Sequence, residues 1–147
     1  MRNNRLRILY VITQADHGGA QSHVHHLLES FHERYDIHLA VGNNGPLVKS
    51  ACTLHVNVHI LPSLKRTINA FSDIKAIFEC RSLIQVLRPN LIHAHSSKAG
   101  IVTRIAAASL GIPVLFTAHG WAFTPGTPVL RRVIALFTEL LTAPLAT

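Results

Sequence analysis

The feature that most constrains this chain is the alternation of two hydrophobic periods along its length. Five short runs have the length and flanks of buried strands: "RILYVIT" (7–13), "DIHLAVG" (36–42), "HVNVHIL" (55–61), "NLIHAHS" (90–96) and "PVLFTAHG" (113–120). Between them the period changes. Val24, Leu27, Leu28 and Phe31 fall at i, i+3, i+4 and i+7, one stripe of a helix. Further helices are predicted over 47–53, 98–110 and 129–141. Another should start at Ser72 as N-cap with Asp73 behind it, carry Ile74, Ile77, Phe78, Ile84 and Leu87 inward, and end at Pro89. Strands and helices in this order predict an α/β fold: a Rossmann-like, doubly wound parallel sheet of order 3-2-1-4-5. With 147 residues, 48% of them hydrophobic, there is room for one domain with a real core.

Several classes are excluded by what the chain lacks. The start "MRNNRLRILYVIT" imitates a secretory signal, but Gln14-Ala15-Asp16-His17 follows in place of a small-residue cleavage site. No apolar stretch reaches the roughly 18 residues of a membrane span. The nearest, "IAAASLGIPVLF", is broken by Gly111 and Pro113. Cys52 and Cys80 lie in apolar segments and read as free, buried thiols. The net charge is +7, and nine of the 14 basic residues but three of the 7 acidic ones fall after residue 60. That bias suits phosphate-rich ligands or an anionic membrane surface. Without an aromatic platform beside the basic residues, nucleic acid is not expected.

In such a sheet, ligands bind beyond the carboxyl ends of the strands where the winding reverses. Three segments should meet there: Gly18-Gly19-Ala20-Gln21, His93-Ala94-His95-Ser96-Ser97 and Thr117-Ala118-His119-Gly120-Trp121. The glycine pair has two readings, a backbone approach to an anion at a helix start or a tight turn needing positive φ. A dehydrogenase is disfavoured, because nothing matches GxGxxG and the second strand ends in Gly42-Asn43 with no ribose-binding acid. His23, His25 and His26 point three ways on a helical wheel. His25, Glu29 and His32 share a face at zinc-like spacing, which a solvated face explains equally well. His93 and His95 imitate the HxH of metal hydrolases, yet no Asp follows to complete the site. No metal is expected. His119, at a strand's carboxyl end beside Gly120 and the only tryptophan, faces the predicted crevice.

Taken together, "ILYVITQADHGGAQSHVHHLL" (8–28), "PNLIHAHSSKAG" (89–100) and "PVLFTAHGWAF" (113–123) resemble the N-terminal domain of family 4 glycosyltransferases. The likeness is to bacterial enzymes of capsule, exopolysaccharide or lipopolysaccharide synthesis, and it covers nearly the whole chain. The resemblance implies one half of a GT-B architecture, with residues 1–147 an acceptor-side domain incomplete at its C-terminal end. On that resemblance the second, donor-binding domain with its pair of glutamates is expected to be missing, and the isolated chain is expected to be inactive. It implies that Gly18 and Gly19 face the pyrophosphate of a nucleotide-sugar and that His119 contacts the donor sugar near the reacting carbon, as the catalytic group. Gln21, His95, Ser96, Gly120 and Trp121 would complete the substrate-binding set. Retaining transfer to a glycan or lipid-linked acceptor is implied, with no cofactor. Expected partners are a separate donor-domain polypeptide and an anionic membrane; Lys65, Arg66, Arg131 and Arg132 are the candidates for holding a lipid-diphosphate acceptor or docking on that surface. The expected location is cytoplasmic, peripheral on the inner face of the plasma membrane. The alternative reading is a non-catalytic remnant or binding module attached to a donor-domain subunit.

Overall fold

A computed structural model describes residues 5–120, 126 and 128–145. Its elements run β1 (Arg7–Ile12), α1 (Gly19–Phe31), β2 (Asp36–Val41), α2 (Pro46–Thr53), β3 (Asn57–Ile60), α3 (Ala70–Leu87), β4 (Leu91–His95), α4 (Ser97–Ala107), β5 (Val114–Thr117) and α5 (Val129–Thr142). A single 3-10 turn, Ala143–Leu145, follows. The strands form one parallel sheet of order β3-β2-β1-β4-β5. The predicted winding, with its reversal between β1 and β4, is therefore the observed one.

Side chains alternate across each strand, so β1 feeds two cores. Ile8, Tyr10 and Ile12 meet Val24 and Leu28 of α1 and Leu47 and Ala51 of α2 on one face. Leu9 and Val11 meet Ala76, Cys80 and Ile84 of α3 and Ala99, Val102 and Ala106 of α4 on the other. Val24 and Leu28 are wholly enclosed, and each such burial stabilises by about 1.5–3 kcal/mol.

The third helix corrects three expectations. It begins at Ala70, and its N-cap is Asn69, whose Oδ1 accepts from the Ser72 backbone N–H at 3.1 Å. Asp73 in turn accepts from the Asn69 N–H at 3.3 Å, so both residues do capping work one turn earlier than predicted. The buried stripe is Ala76, Cys80, Ile84 and Leu87, while Ile74 and Phe78 face solvent. Small side chains let α3 lie close against α4, and that close contact outweighs the bulkier residues' greater hydrophobicity. Cys52, read as buried, is exposed; Cys80 is buried.

None of the described helices is long and apolar enough to cross a membrane. Even so, α5 leaves Val129, Leu130, Val133, Leu136, Phe137 and Leu140 in solvent, and Phe71, Ile74 and Phe78 add a second apolar stretch on α3. Surfaces of this kind mark contacts with other protein or lipid. The isolated chain is expected to self-associate at micromolar concentration in sedimentation velocity, less so after Val133→Ser and Phe137→Ser. A concentration-independent monomer would contradict this.

Candidate functional site

The cleft opens beyond the carboxyl ends of β1 and β4, and the sequence lines it with helix starts. Gly18 is the N-cap of α1 in an extended conformation (φ 169°, ψ 167°), with no side-chain cap. A turn that merely needed positive φ is therefore not what this glycine provides. The first turn of α1 carries no acidic residue, so its free N–H groups keep their positive field. A Cβ at Gly19 would meet nothing within 4 Å among the described residues, whereas one at Gly18 would meet only the end of the Gln21 side chain. Internal packing does not demand glycine at position 19. Gln21 donates its side-chain N–H to the Gln14 carbonyl at 3.1 Å and so ties the loop back onto the strand end.

Opposite lies the turn from β4 into α4. Ser96 has φ 76°, a left-handed value uncommon for a residue with a Cβ. Its hydroxyl is 2.7 Å from that of Thr13, which joins the ends of β4 and β1. Such strain at a strand end is found where geometry at a site is over-determined. Ser97 Oγ donates to the Gly120 carbonyl at 3.4 Å. Lys98 is held by Asp73 and the Thr67 carbonyl rather than left free for a ligand. Gly18, Gly19, Gln21, Ser96, Gly120 and His119 all line this one cleft, with Arg66 at its rim. Lys65 and Arg132 are exposed elsewhere, and the Arg131 side chain and Trp121 lie outside the described residues.

A column of imidazoles runs from the wall of the cleft to the strand behind it. His93 and His95 share one side of β4, as alternation requires, with ring centroids 4.1 Å apart. His93 Nε2 pairs with Thr117 Oγ1 at 2.8 Å. His95 is fully buried, and its Nδ1 lies 3.0 Å from Nε2 of His119. Its own Nε2 has no hydrogen-bond partner among the described residues. His23, from the second turn of α1, closes the group, 5.1 Å from the His119 ring and 5.7 Å from the His95 ring. Sequence reasoning missed His23, because a helical wheel compares it only with its own helix. The signal that was available is its place one turn beyond Gly19, on a helix that starts at the strand ends. His25, Glu29 and His32 do not gather: His25 pairs with Glu29 at 3.3 Å, while His32 Nδ1 turns to the Leu28 and Glu29 carbonyls.

Burial is the main cause of the electrostatics here. It lowers His95 from the ordinary 6.5 to about 3, with His93, His119 and His23 adding repulsion. It lowers His93 to about 4, helped by His23 and His119, and pushes Tyr10 up to about 12. His119 is also lowered, by burial and then by His23. These rings are neutral at pH 7, able to donate through one nitrogen and accept through the other. The sign for stability follows. The unfolded chain takes up protons near pH 6.5, whereas folded His93 and His95 resist until about 4 and about 3. Their contribution is complete above 6.5 and is lost as pH falls through that window. Urea midpoints are expected to drop between pH 7 and pH 4, and less in His93→Gln; a flat profile would contradict the burial argument.

Comparison with known proteins gives three findings. Residues 18–144 match the family model described as glycosyl transferase 4-like domain. The Escherichia coli UDP-Gal:alpha-D-GlcNAc-diphosphoundecaprenol alpha-1,3-galactosyltransferase is 37% identical over 92 residues, 62% of this chain and 24% of that protein. The O-antigen biosynthesis glycosyltransferase WbnH of the same organism is 22% identical over 113 residues, 77% of this chain and 32% of its own. This chain thus spans about a quarter to a third of the curated relatives it matches. Among solved structures, Anabaena Alr3699/HepE in complex with UDP-glucose superposes with a TM-score of 0.69 at 15% identity, covering 91% of this chain and 35% of that one. MurG of Acinetobacter baumannii gives 0.68 at 13%, covering 97% and 40%. At these identities the structural likeness shows the fold alone: a five-stranded parallel sheet flanked by helices, shared with about a third of the length of solved GT-B glycosyltransferases.

Proposed function

Because this chain belongs to the glycosyl transferase 4-like domain family, we propose that it is the acceptor-side domain of a retaining glycosyltransferase of polysaccharide or O-antigen synthesis. In this reading, sugar passes from a nucleotide diphosphate to a lipid-diphosphate-linked acceptor. The observation that carries it is the meeting of the Gly18-Gly19 helix start and His119 at one cleft beside the sheet's reversal.

The chemistry suits these groups. Glycosyl transfer builds positive charge on the sugar and negative charge on the departing diphosphate. The free N–H groups at the start of α1 stabilise that leaving group without any side chain, and the open space at Gly19 admits it closely. His119 Nε2 is engaged by His95, which leaves Nδ1 for a sugar hydroxyl. His95 is thus a positioning residue, behind the cleft wall rather than in it. Arg66 at the rim suits an acceptor diphosphate. The apolar faces of α3 and α5 support contact with further protein, a donor-binding domain in the same or a second polypeptide, or with the membrane that holds the acceptor.

The test uses radiolabelled UDP-galactose and a lipid-diphosphate-linked N-acetylglucosamine acceptor. The isolated chain is expected to give no turnover. A chimera joining it to the donor-binding part of the E. coli galactosyltransferase relative is expected to transfer the sugar and give an α-linked product. Robust turnover by the chain alone would overturn the acceptor-side assignment. A folded chimera that neither binds the acceptor nor transfers to it would overturn the proposal as a whole.

A further inference from the structure

We propose that His23, His95 and His119 form a binding site for a divalent transition-metal ion of the zinc class, with one coordination position left open to the cleft. The site goes beyond the transfer reading, and neither depends on the other. One ring nitrogen from each residue lies within 4.8 Å of the other two. The His95 Nδ1–His119 Nε2 separation is 3.0 Å. Two nitrogens on a tetrahedral zinc ion, each at roughly 2.0–2.1 Å, lie about 3.3 Å apart. That pair therefore already stands close to the spacing of two ligands on one ion.

The three rings arrive from separate segments, and their mobility is graded. His95 is fixed, fully buried at the end of β4. His119 is held against it by the shared hydrogen bond. His23 is on the exposed surface of α1 and can close the remaining gap by a rotamer change. The proton now shared between His95 and His119 must leave the space an ion would take. Neutral imidazole allows this without net proton release, since each ring can carry its proton on the far nitrogen. For His119 that nitrogen is Nδ1, so a metal-bound His119 would still present an N–H toward the cleft.

The donor set also selects the ion. Three imidazoles and no carboxylate suit zinc, cobalt or nickel and not magnesium or calcium, which take oxygen ligands. Three protein ligands leave a fourth position for water or an anionic oxygen, the arrangement of open rather than structural zinc sites. His23 and His119 line the cleft while His95 stands behind them, so the open position faces the space beside Gly18 and Gly19.

The experiment reads metal alone, with no donor or acceptor present. Untagged chain stripped with a chelator is titrated with cobalt(II) and followed by its visible d–d absorption, and zinc is then added to displace the cobalt. One saturating ion per chain, with the intense bands of a tetrahedral or five-coordinate nitrogen site, is expected. His23→Ala and His23→Gln, both at an exposed position that should not disturb folding, are expected to weaken binding at least about ten-fold. His25→Ala and His32→Ala should leave it unchanged. Absence of saturable absorption would overturn the proposal. So would affinity that survives both His23 variants, or that is lost with His25 or His32, which would put the ion on the outer face of α1.

Discussion

Arg104→Ala is expected to destabilise the domain by about 3–5 kcal/mol, read as a fall in the urea midpoint. Arg104 is 2% exposed, inside α4. Its Nη2 donates to Glu139 Oε2 at 2.7 Å, its Nε donates to the Gly100 carbonyl at 3.0 Å, and its guanidinium lies 4.8 Å from the centre of the Phe116 ring. Removing it strands a largely buried carboxylate whose Oε1 already has no hydrogen-bond partner among the described residues. Domains of this kind are stable by only about 5–15 kcal/mol in all, so a loss of that size can unfold the chain or release α5 from α4. The pair itself contributes little compared with two apolar groups of the same shape, because both charges had to be desolvated. Arg104→Met should therefore be nearly as harmful as Arg104→Ala, while Arg104→Met with Glu139→Leu should recover most of the loss. If the double variant is as unstable as the single ones, lost packing over Phe116 is the cause and the charge argument fails.

That ion pair also shows what a sequence conceals. An arginine inside a helical segment reads as a solvated residue, because nothing local reveals the glutamate 35 positions later that meets it. Periodicity was enough for the strands and their order, since β1 and β4 are short branched runs with no competing helical stripe. It was also enough to bring Gly18, Ser96 and His119 to one cleft, because the winding reversal fixes which strand ends are neighbours. It failed where the choice was between faces. In α3 the greater bulk of Ile74 and Phe78 pointed outward, and the buried side was set by Ala76 and Cys80, whose value is closeness rather than area. Asn69 and Ser72 are equally good caps by chemistry, and only the path of the loop decides between them. His23 is the most instructive case. Its partners come from the end of β4 and the segment just after β5, on the far side of the sheet's reversal, and a single-helix pattern carries no information about them.

Gly19→Asp should move stability and activity in opposite directions, and that opposition separates the two meanings of the glycine pair. Position 19 is the first residue of α1, and a Cβ there would meet nothing within 4 Å among the described residues. An acidic side chain in the first turn of a helix with no acidic residue there stabilises it by about 0.3–1 kcal/mol through the helix dipole. Glycine is also a poor helix former, so its replacement adds a few tenths more, about 0.5 kcal/mol. The melting temperature of the chain should rise. If the N–H groups of this turn receive the departing diphosphate, the same carboxylate occupies their field and repels the charge that develops there. Losing such stabilisation lowers turnover by roughly 10²–10³-fold, to be measured in the donor-domain chimera. Gly19→Ala adds the methyl group without the charge and should fall between, with stability improved and turnover reduced less. The purely structural reading predicts that both variants keep full turnover, because a side chain that meets nothing among the described residues should matter only to something that binds. An active, stabilised Gly19→Asp chimera would remove the anion from this helix start, and with it the physical basis for a diphosphate leaving group in this cleft.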